Sequence, residues 1–256
     1  MLRFSANLSM LYPQHAFLDR FAAAAADGFK GVEYVGAYDY PATQIADVLR
    51  ENGLTQALFN LPVGDWVAGE RGIACLPERR DEFRSSVDQA IGYAYETGCK
   101  QVNCLAGIAP SGADRDELET TLVSNLQFAA ARFADAGIKL LLEPINTKDM
   151  PGYLINTTDH YEAIAARVGS DNLYLQYDFY HMQIMQGDLI RTLERLQPRI
   201  AHVQIADNPG RHEPGTGEIN YANIFTALSR LGYAGWIGAE YRPSGDTSSS
   251  FGWVPE

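Results

Sequence analysis

A chain of 256 residues with 46% hydrophobic side chains has enough apolar material for one large core, and α/β barrels of this length commonly form one domain. Its 32 acidic residues against 20 basic ones give a formal net charge of −12, which argues against a nucleic-acid or anionic-membrane partner, because phosphate binding needs a basic patch. A small anionic substrate met by a few local arginines remains compatible with that balance, since 16 of the basic residues are Arg and 4 are Lys.

The chain opens MLRFSANLSML, without a basic segment leading into a long apolar one, so no signal peptide is expected. A first strand is predicted over residues 3–8 and an amphipathic helix over 16–28. Strands at 31–35 and 55–59 flank a helix at 42–53, and a long loop, 60–80, follows the third strand. The pattern continues with a helix at 81–98, a strand at 101–105, a helix at 116–137 and a strand at 138–143. A helix at 157–169, a strand at 173–178, a helix at 187–197 and a strand at 200–205 come next. A second long loop, 207–219, precedes a helix at 220–232 and a last strand at 236–240. Four of the helices close on Gly28, Gly53, Gly98 and Gly137, each in the position of a C-terminal cap, and Asp159 and Asn220 suit a helix start. The polar tail SGDTSSSFGWVPE is expected to pack as a short helix or arm.

Eightfold alternation of strand and helix predicts a single (β/α)8 TIM barrel over residues 1–256. An open doubly wound sheet would want a Gly-rich phosphate loop after its first strand, and SANLSML has none. Cys75, Cys99 and Cys104 show no metal spacing and read as reduced thiols of a cytoplasmic protein. No window reaches the roughly 18 apolar residues of a membrane span. The two long loops both follow strands, so both fall on the face where barrels build their sites.

Glu143, Asp178 and Glu240 each end a predicted strand, and Gln204 sits near the end of another. Polar groups at the C-terminal ends of successive barrel strands face one cavity. Three carboxylates and an amide oxygen there suit a hard divalent cation. A lone acidic residue at a strand end is more often a helix cap, but four in register on strands five to eight outweigh that reading. Unpartnered carboxylates in a barrel mouth would cost several kcal/mol or take up protons, and a shared cation removes that cost. His181, three residues after Asp178, is expected in the loop leaving that strand, as a neutral donor to a substrate oxygen. His202 shares the inward parity of Gln204 one layer deeper and reads as a supporting residue. Arg211 and Arg71, in the two long loops, are candidates to bind a substrate carboxylate or hydroxyl, with Arg211 preferred; Trp66 and Phe59 are candidate pocket walls.

The segments FSANLSML, FNLPVGDWVAGERGIACLP, EPIN, YDFYHMQ, HVQIADNPGRHEPGTGEINY and GWIGAEY resemble hydroxypyruvate isomerase, within the xylose-isomerase-like barrels and beside the 2-oxo-tetronate isomerases and ketose 3-epimerases. The resemblance runs from about residue 2 to residue 242. It implies that Glu143 of EPIN and Glu240 of GAEY are paired acid–base glutamates that also bind metal, with Asp178 and Gln204 completing the ligands and His181 touching substrate. Where the related epimerases carry histidine, Gln204 offers an amide oxygen, which shifts preference from zinc towards Mg²⁺ or Mn²⁺. The implied reaction interconverts hydroxypyruvate and 2-hydroxy-3-oxopropanoate through an enediolate, on a small keto acid or sugar and without a nicotinamide or flavin. The same site suits a 2-oxo-tetronate isomerase or a ketose 3-epimerase, and KDMPGY after EPIN leans to the hydroxypyruvate type. An endonuclease-IV-like DNA-repair hydrolase would need several zinc ions, many histidines and a basic face, against 5 His and the charge of −12 here. A homo-oligomer fits the sequence without being specified by it.

Overall fold

Eight short strands pair in sequence order, each parallel to the next, and the last returns to the first to close a barrel, as the computed structural model of residues 1–255 shows. The strands are β1 (Arg3–Asn7), β2 (Gly31–Tyr34), β3 (Thr55–Asn60), β4 (Gln101–Cys104), β5 (Lys139–Leu142), β6 (Leu173–Asp178), β7 (Ile200–Ile205) and β8 (Trp236–Ala239). Closure is made by the pairing of Arg3 with Trp236 through Ala6 with Ala239. The helices on the outside are α1 (Asp19–Ala26), α2 (Ala42–Glu51), α3 (Arg80–Thr97), α4 (Arg115–Asp135), α5 (Thr158–Val168), α6 (Phe179–Met185), α7 (Leu189–Leu196) and α8 (Tyr221–Arg230).

Outward strand residues such as Val32, Phe59, Val102, Leu140, Leu175, Val203 and Ile237 are buried in one apolar core. The inward positions are different. Ser5 and Asn7 of β1, Glu33 of β2, Gln56 and Asn60 of β3, Gln101 and Asn103 of β4, Gln176 of β6, and His202 and Gln204 of β7 are all buried and polar. The two-residue period of a strand puts each of these on one face and the apolar residues on the other. Leu58 and Leu141 share the inward parity and form, with Ala201, a small apolar cluster separate from the main core, against which Tyr174 packs. A barrel lumen is usually filled by bulky branched side chains; this one is largely a hydrogen-bonded polar layer beneath the C-terminal strand ends.

Gly98 caps α3 in the left-handed conformation, with φ +71°, which a Cβ would strain. Thr157 accepts from the His160 N–H at the start of α5 and Asn220 accepts from the Asn223 N–H at the start of α8, so Asn220 is a cap and Asp159 a first-turn residue. The expected tail arm forms a short 3₁₀ turn at Thr247–Ser249 and then places Trp253 edge-on to Phe4, with ring centroids 5.2 Å apart. One element was not foreseen: α6 starts immediately after β6, so His181 lies in a helix rather than in a loop. Among the described residues no helix is long and apolar enough to cross a membrane.

Candidate functional site

Glu143 and Glu240 each follow the last residue of a strand, β5 and β8, and neither begins a helix. Asp178 ends β6 and also starts α6, where its Oδ1 accepts the Tyr180 N–H at 2.8 Å. Its Oδ2 is buried with no hydrogen-bond partner. Ligand atoms of Glu143, Asp178, Glu240 and His181 all lie within 4.8 Å of one another, and all four residues are buried. Glu143, Glu240 and Gln204 line one small cavity of about 20 Å³, together with Asn7, Asn60 and Gln176. That is room for one water-sized guest. The sequence-derived residues Glu143, Asp178, Gln204, Glu240 and His181 therefore meet at one place. A far larger groove, about 1250 Å³, runs along α8 and the tail past Phe225 and Trp253, but it contains none of these carboxylates.

Hydrogen bonds fix the cluster. Asn103 Nδ2 donates to Glu143 Oε2 at 3.1 Å. Asn7 Nδ2 donates to Glu240 Oε1 at 3.0 Å, and Arg211 Nη2 donates to Glu240 Oε2 at 2.6 Å. Arg211 comes from the loop after β7, with a left-handed φ of +57°. The loop is shaped by the buried Asp207, whose carboxylate accepts backbone N–H groups of Asn208, Gly215 and Ile219 at 2.9, 2.8 and 3.0 Å. Arg211 also lies 3.7 Å from Asp178 Oδ2 and above the Tyr180 ring.

The tautomer of His181 follows from its neighbours. Asn146 Nδ2 and the Asn146 backbone N–H, both donors, lie 2.6 and 3.4 Å from Nδ1, so Nδ1 accepts and the proton falls on Nε2. The approach of Arg211 Nη2 to Nε2 at 3.4 Å is then a contact between two donors. Nε2 is then 3.4 Å from Asp178 Oδ2 and 3.9 Å from Glu143 Oε1. Burial holds His181 well below its ordinary pKa, and the Arg211 charge adds to the effect, so the ring is neutral.

Burial acts on the carboxyls in the opposite sense. Glu143 is pushed well above the usual carboxylate range by burial and then by the charges of Glu240 and Asp178. Asp178 and Glu240 are raised by burial too, while Arg211 pulls both back. Crowded, desolvated carboxyls with an unpartnered oxygen are what a site looks like when its charge is made to be met by a cation. The donor set is mostly oxygen, which fits a hard divalent ion.

Several functional candidates escaped the sequence. Asn7, Glu33, Asn60, Asn103 and Gln176 all belong to the inward layer that supports the cluster. Glu33, Asn103 and Gln176 are polar residues inside apolar strands, as in VEY and VNCL, and Asn7 and Asn60 close β1 and β3, but the sequence alone does not say which face of the strand each occupies. His202, expected beneath Gln204, sits there with Nε2 2.8 Å from Glu33 Oε2, close but poorly aligned for a hydrogen bond. Two expectations are corrected. Phe59 points outward and packs on Tyr38 and Tyr93, because the neighbouring Asn60 takes the inward parity. Arg71 stacks 3.7 Å over the Trp66 ring and donates to the carbonyls of Trp66 and Glu70, so it stabilises its own loop instead of entering the cavity.

Comparison with known proteins agrees with the barrel fold. A match to the xylose isomerase-like TIM barrel family spans residues 21–256. A 2-oxo-tetronate isomerase of Cupriavidus necator is 51% identical over 99% of this chain and 98% of its own length. A hydroxypyruvate isomerase of Escherichia coli is 48% identical over the same shares, 99% and 98%. A crystal structure of an AP endonuclease, family 2, from Brucella melitensis superposes with a TM-score of 0.96 at 46% identity, covering 99% of this chain and 98% of that one.

Proposed function

The chain belongs to the xylose isomerase-like TIM-barrel family, and from that premise we propose that it is an aldose–ketose isomerase interconverting hydroxypyruvate and 2-hydroxy-3-oxopropanoate. The observation that carries the reading is the pair of buried glutamates, Glu143 and Glu240, at the ends of β5 and β8, with Asp178 and His181 in the same cluster. Moving a carbonyl from one carbon to its neighbour requires a proton to leave the neighbour, where the new carbonyl forms, and another to arrive at the carbon that bore the old one, while the hydroxyl proton passes from one oxygen to the other. Two carboxyls whose pKa values are raised by burial suit both tasks.

Glu143, Asp178, Gln204 and Glu240 would hold the divalent cation, and their oxygen-rich character favours Mg²⁺ or Mn²⁺. When bound, the cation supplies Lewis acidity that lowers the cost of negative charge on the substrate oxygens. The chain's own groups do the rest. Arg211 holds Glu240 towards its ionised form at 2.6 Å, so Glu240 is suited to begin as base. Glu143, met by the Asn103 amide on Oε2 and hydrogen-bonded to no guanidinium, more readily holds a proton to deliver at the adjacent carbon. In the reverse direction the roles exchange. The neutral His181 presents Nε2–H to the cluster and can donate to a substrate oxygen. The buried position of all four groups keeps water from the enediolate.

The 51% identity to a 2-oxo-tetronate isomerase favours a second substrate for the same site, one carbon longer. A DNA-repair nuclease reading draws on the Brucella structure. Against it stand a net charge of −12 and a donor cluster with a single histidine among the described residues. The test is turnover of purified protein with Mg²⁺ or Mn²⁺ on hydroxypyruvate, 2-oxo-tetronates and free ketoses. Hydroxypyruvate is expected to be isomerised; activity confined to 2-oxo-tetronates would move the substrate, and none on any of the three would overturn the reading.

A further inference from the structure

One buried carboxylate has no part in the proposed proton transfer. Glu33, in β2, is fully buried in the inward polar layer. Ser5 Oγ donates to its Oε2 at 2.7 Å, while Asn7 Nδ2 and Gln204 Nε2 donate to its Oε1 at 3.2 and 2.8 Å. β8 makes room for it: a Cβ on Gly238 would stand 2.3 Å from Glu33 Oε1. The barrel wall is thus cut away to seat this carboxylate beside Gln204.

An ionised carboxylate only accepts hydrogen bonds. The end of the Gln204 amide that meets Glu33 must therefore be its NH₂, and the oxygen is turned the other way. There Oε1 accepts from Gln176 Nε2 at 2.7 Å and keeps a second lone pair. Gln176 cannot enforce this by itself. Its Oε1 has no partner, and the side chain that orients its amide is Glu143, a carboxyl that burial favours in its protonated form and that then offers a donor as well as an acceptor. We propose that Glu33 is a positioning residue that fixes the Gln204 amide so that its oxygen, and not its NH₂, is available to the cation. This rests on reading Gln204 as a cation ligand.

Mn²⁺ binding to the metal-free chain, followed by calorimetry or by the spin resonance of free Mn²⁺, tests the idea without turnover. Glu33→Met keeps the length and removes both acceptor oxygens; affinity should fall about 10–100-fold, the usual effect of losing a residue that orients a ligand. Glu33→Gln removes the charge but can keep an oxygen where Asn7 and Gln204 donate, and it should recover most of that loss. In a Gln204→Ala background, Glu33→Met should change affinity by less than about threefold, because its target is gone. Gly238→Ala pushes the carboxylate from β8 and should reproduce the Glu33→Met pattern, which keeps the test open if Glu33→Met does not fold by circular dichroism. The positioning role is overturned if Glu33→Gln binds as weakly as Glu33→Met, which would mean a pure charge effect. It is also overturned if Glu33→Met and Gly238→Ala leave affinity unchanged while Gln204→Ala weakens it. If Gln204→Ala alone leaves Mn²⁺ affinity unchanged, the ligand reading fails, and the positioning role fails with it.

Discussion

Burial drives Glu143, Asp178 and Glu240 the same way, up from the ordinary carboxylate range; the charges of Glu240 and Asp178 add to the effect on Glu143, and that of Asp178 adds to the effect on Glu240. In the metal-free chain this has a thermodynamic consequence with a definite sign. A carboxyl whose folded pKa is raised still holds a proton that the unfolded chain has released. From about pH 5 to about pH 8 the unfolded state binds fewer protons, so stability falls as pH rises. The melting temperature of the metal-free protein should therefore drop across that range. Glu240→Gln, which removes one of the raised groups, should drop less steeply, and saturating Mn²⁺ should flatten the wild-type curve by taking the protons' place. Equal slopes in wild type and variant would contradict the assigned shifts. Glu143→Gln and Glu240→Gln should each keep the fold and lose about 10²–10⁴-fold or more in turnover, read from steady-state rates beside circular dichroism. At this scale the sequence was most legible where a charge closes an apolar run, as at Glu143, Asp178 and Glu240. It was least legible where uncharged or paired residues do the supporting work. Glu33 lies inside β2 in GVEY, and nothing local distinguishes a buried carboxylate there from an exposed one on the other face.

At the level of elements, the β6–α6 junction joins stability to the site in one side chain. Asp178 Oδ1 caps α6 through the Tyr180 N–H, while Oδ2 faces His181 and Arg211. Asp178→Asn retains an oxygen for the cap and loses the second carboxylate oxygen. It should keep most of the stability, within about 1 kcal/mol, while Mn²⁺ binding falls sharply; Asp178→Ala should lose both, the cap alone being worth about 1 kcal/mol. Thermal melts and Mn²⁺ titrations of the two variants separate the effects. An asparagine variant that binds Mn²⁺ like wild type would remove Asp178 from the ligand set. The helix itself was missed in the sequence because FYHMQIM is short and its first four residues are all buried, so it carries no polar face for a helical period to show. The strand ends, by contrast, were set by alternation and by the glycines that stop α1 to α4, and these were visible.

Over the whole molecule, the closed barrel brings residues from opposite ends of the chain into one cavity: Asn7 of β1 touches Glu240, beyond β8, at 3.0 Å. Eightfold alternation was enough to predict that closure, because only a barrel makes the first strand a neighbour of the last. The polar lumen was not predicted, since an inward glutamine and an outward one read alike until the parity of each strand is known. The net charge of −12 belongs to this scale too. Duplex DNA containing an abasic site should be neither bound nor nicked, with zinc or without it, as measured by mobility shift and strand cleavage; specific nicking would reopen the nuclease reading. The central claim is proton transfer through two carboxyls, and solvent isotope measures it most directly. With Mn²⁺ and hydroxypyruvate in D₂O, the product should carry about one solvent deuterium per turnover at the carbon that receives the proton, because a carboxyl drawing on solvent delivers it. A product formed at full rate with no solvent deuterium would mean hydrogen passes directly between the carbons and would contradict the two-glutamate account.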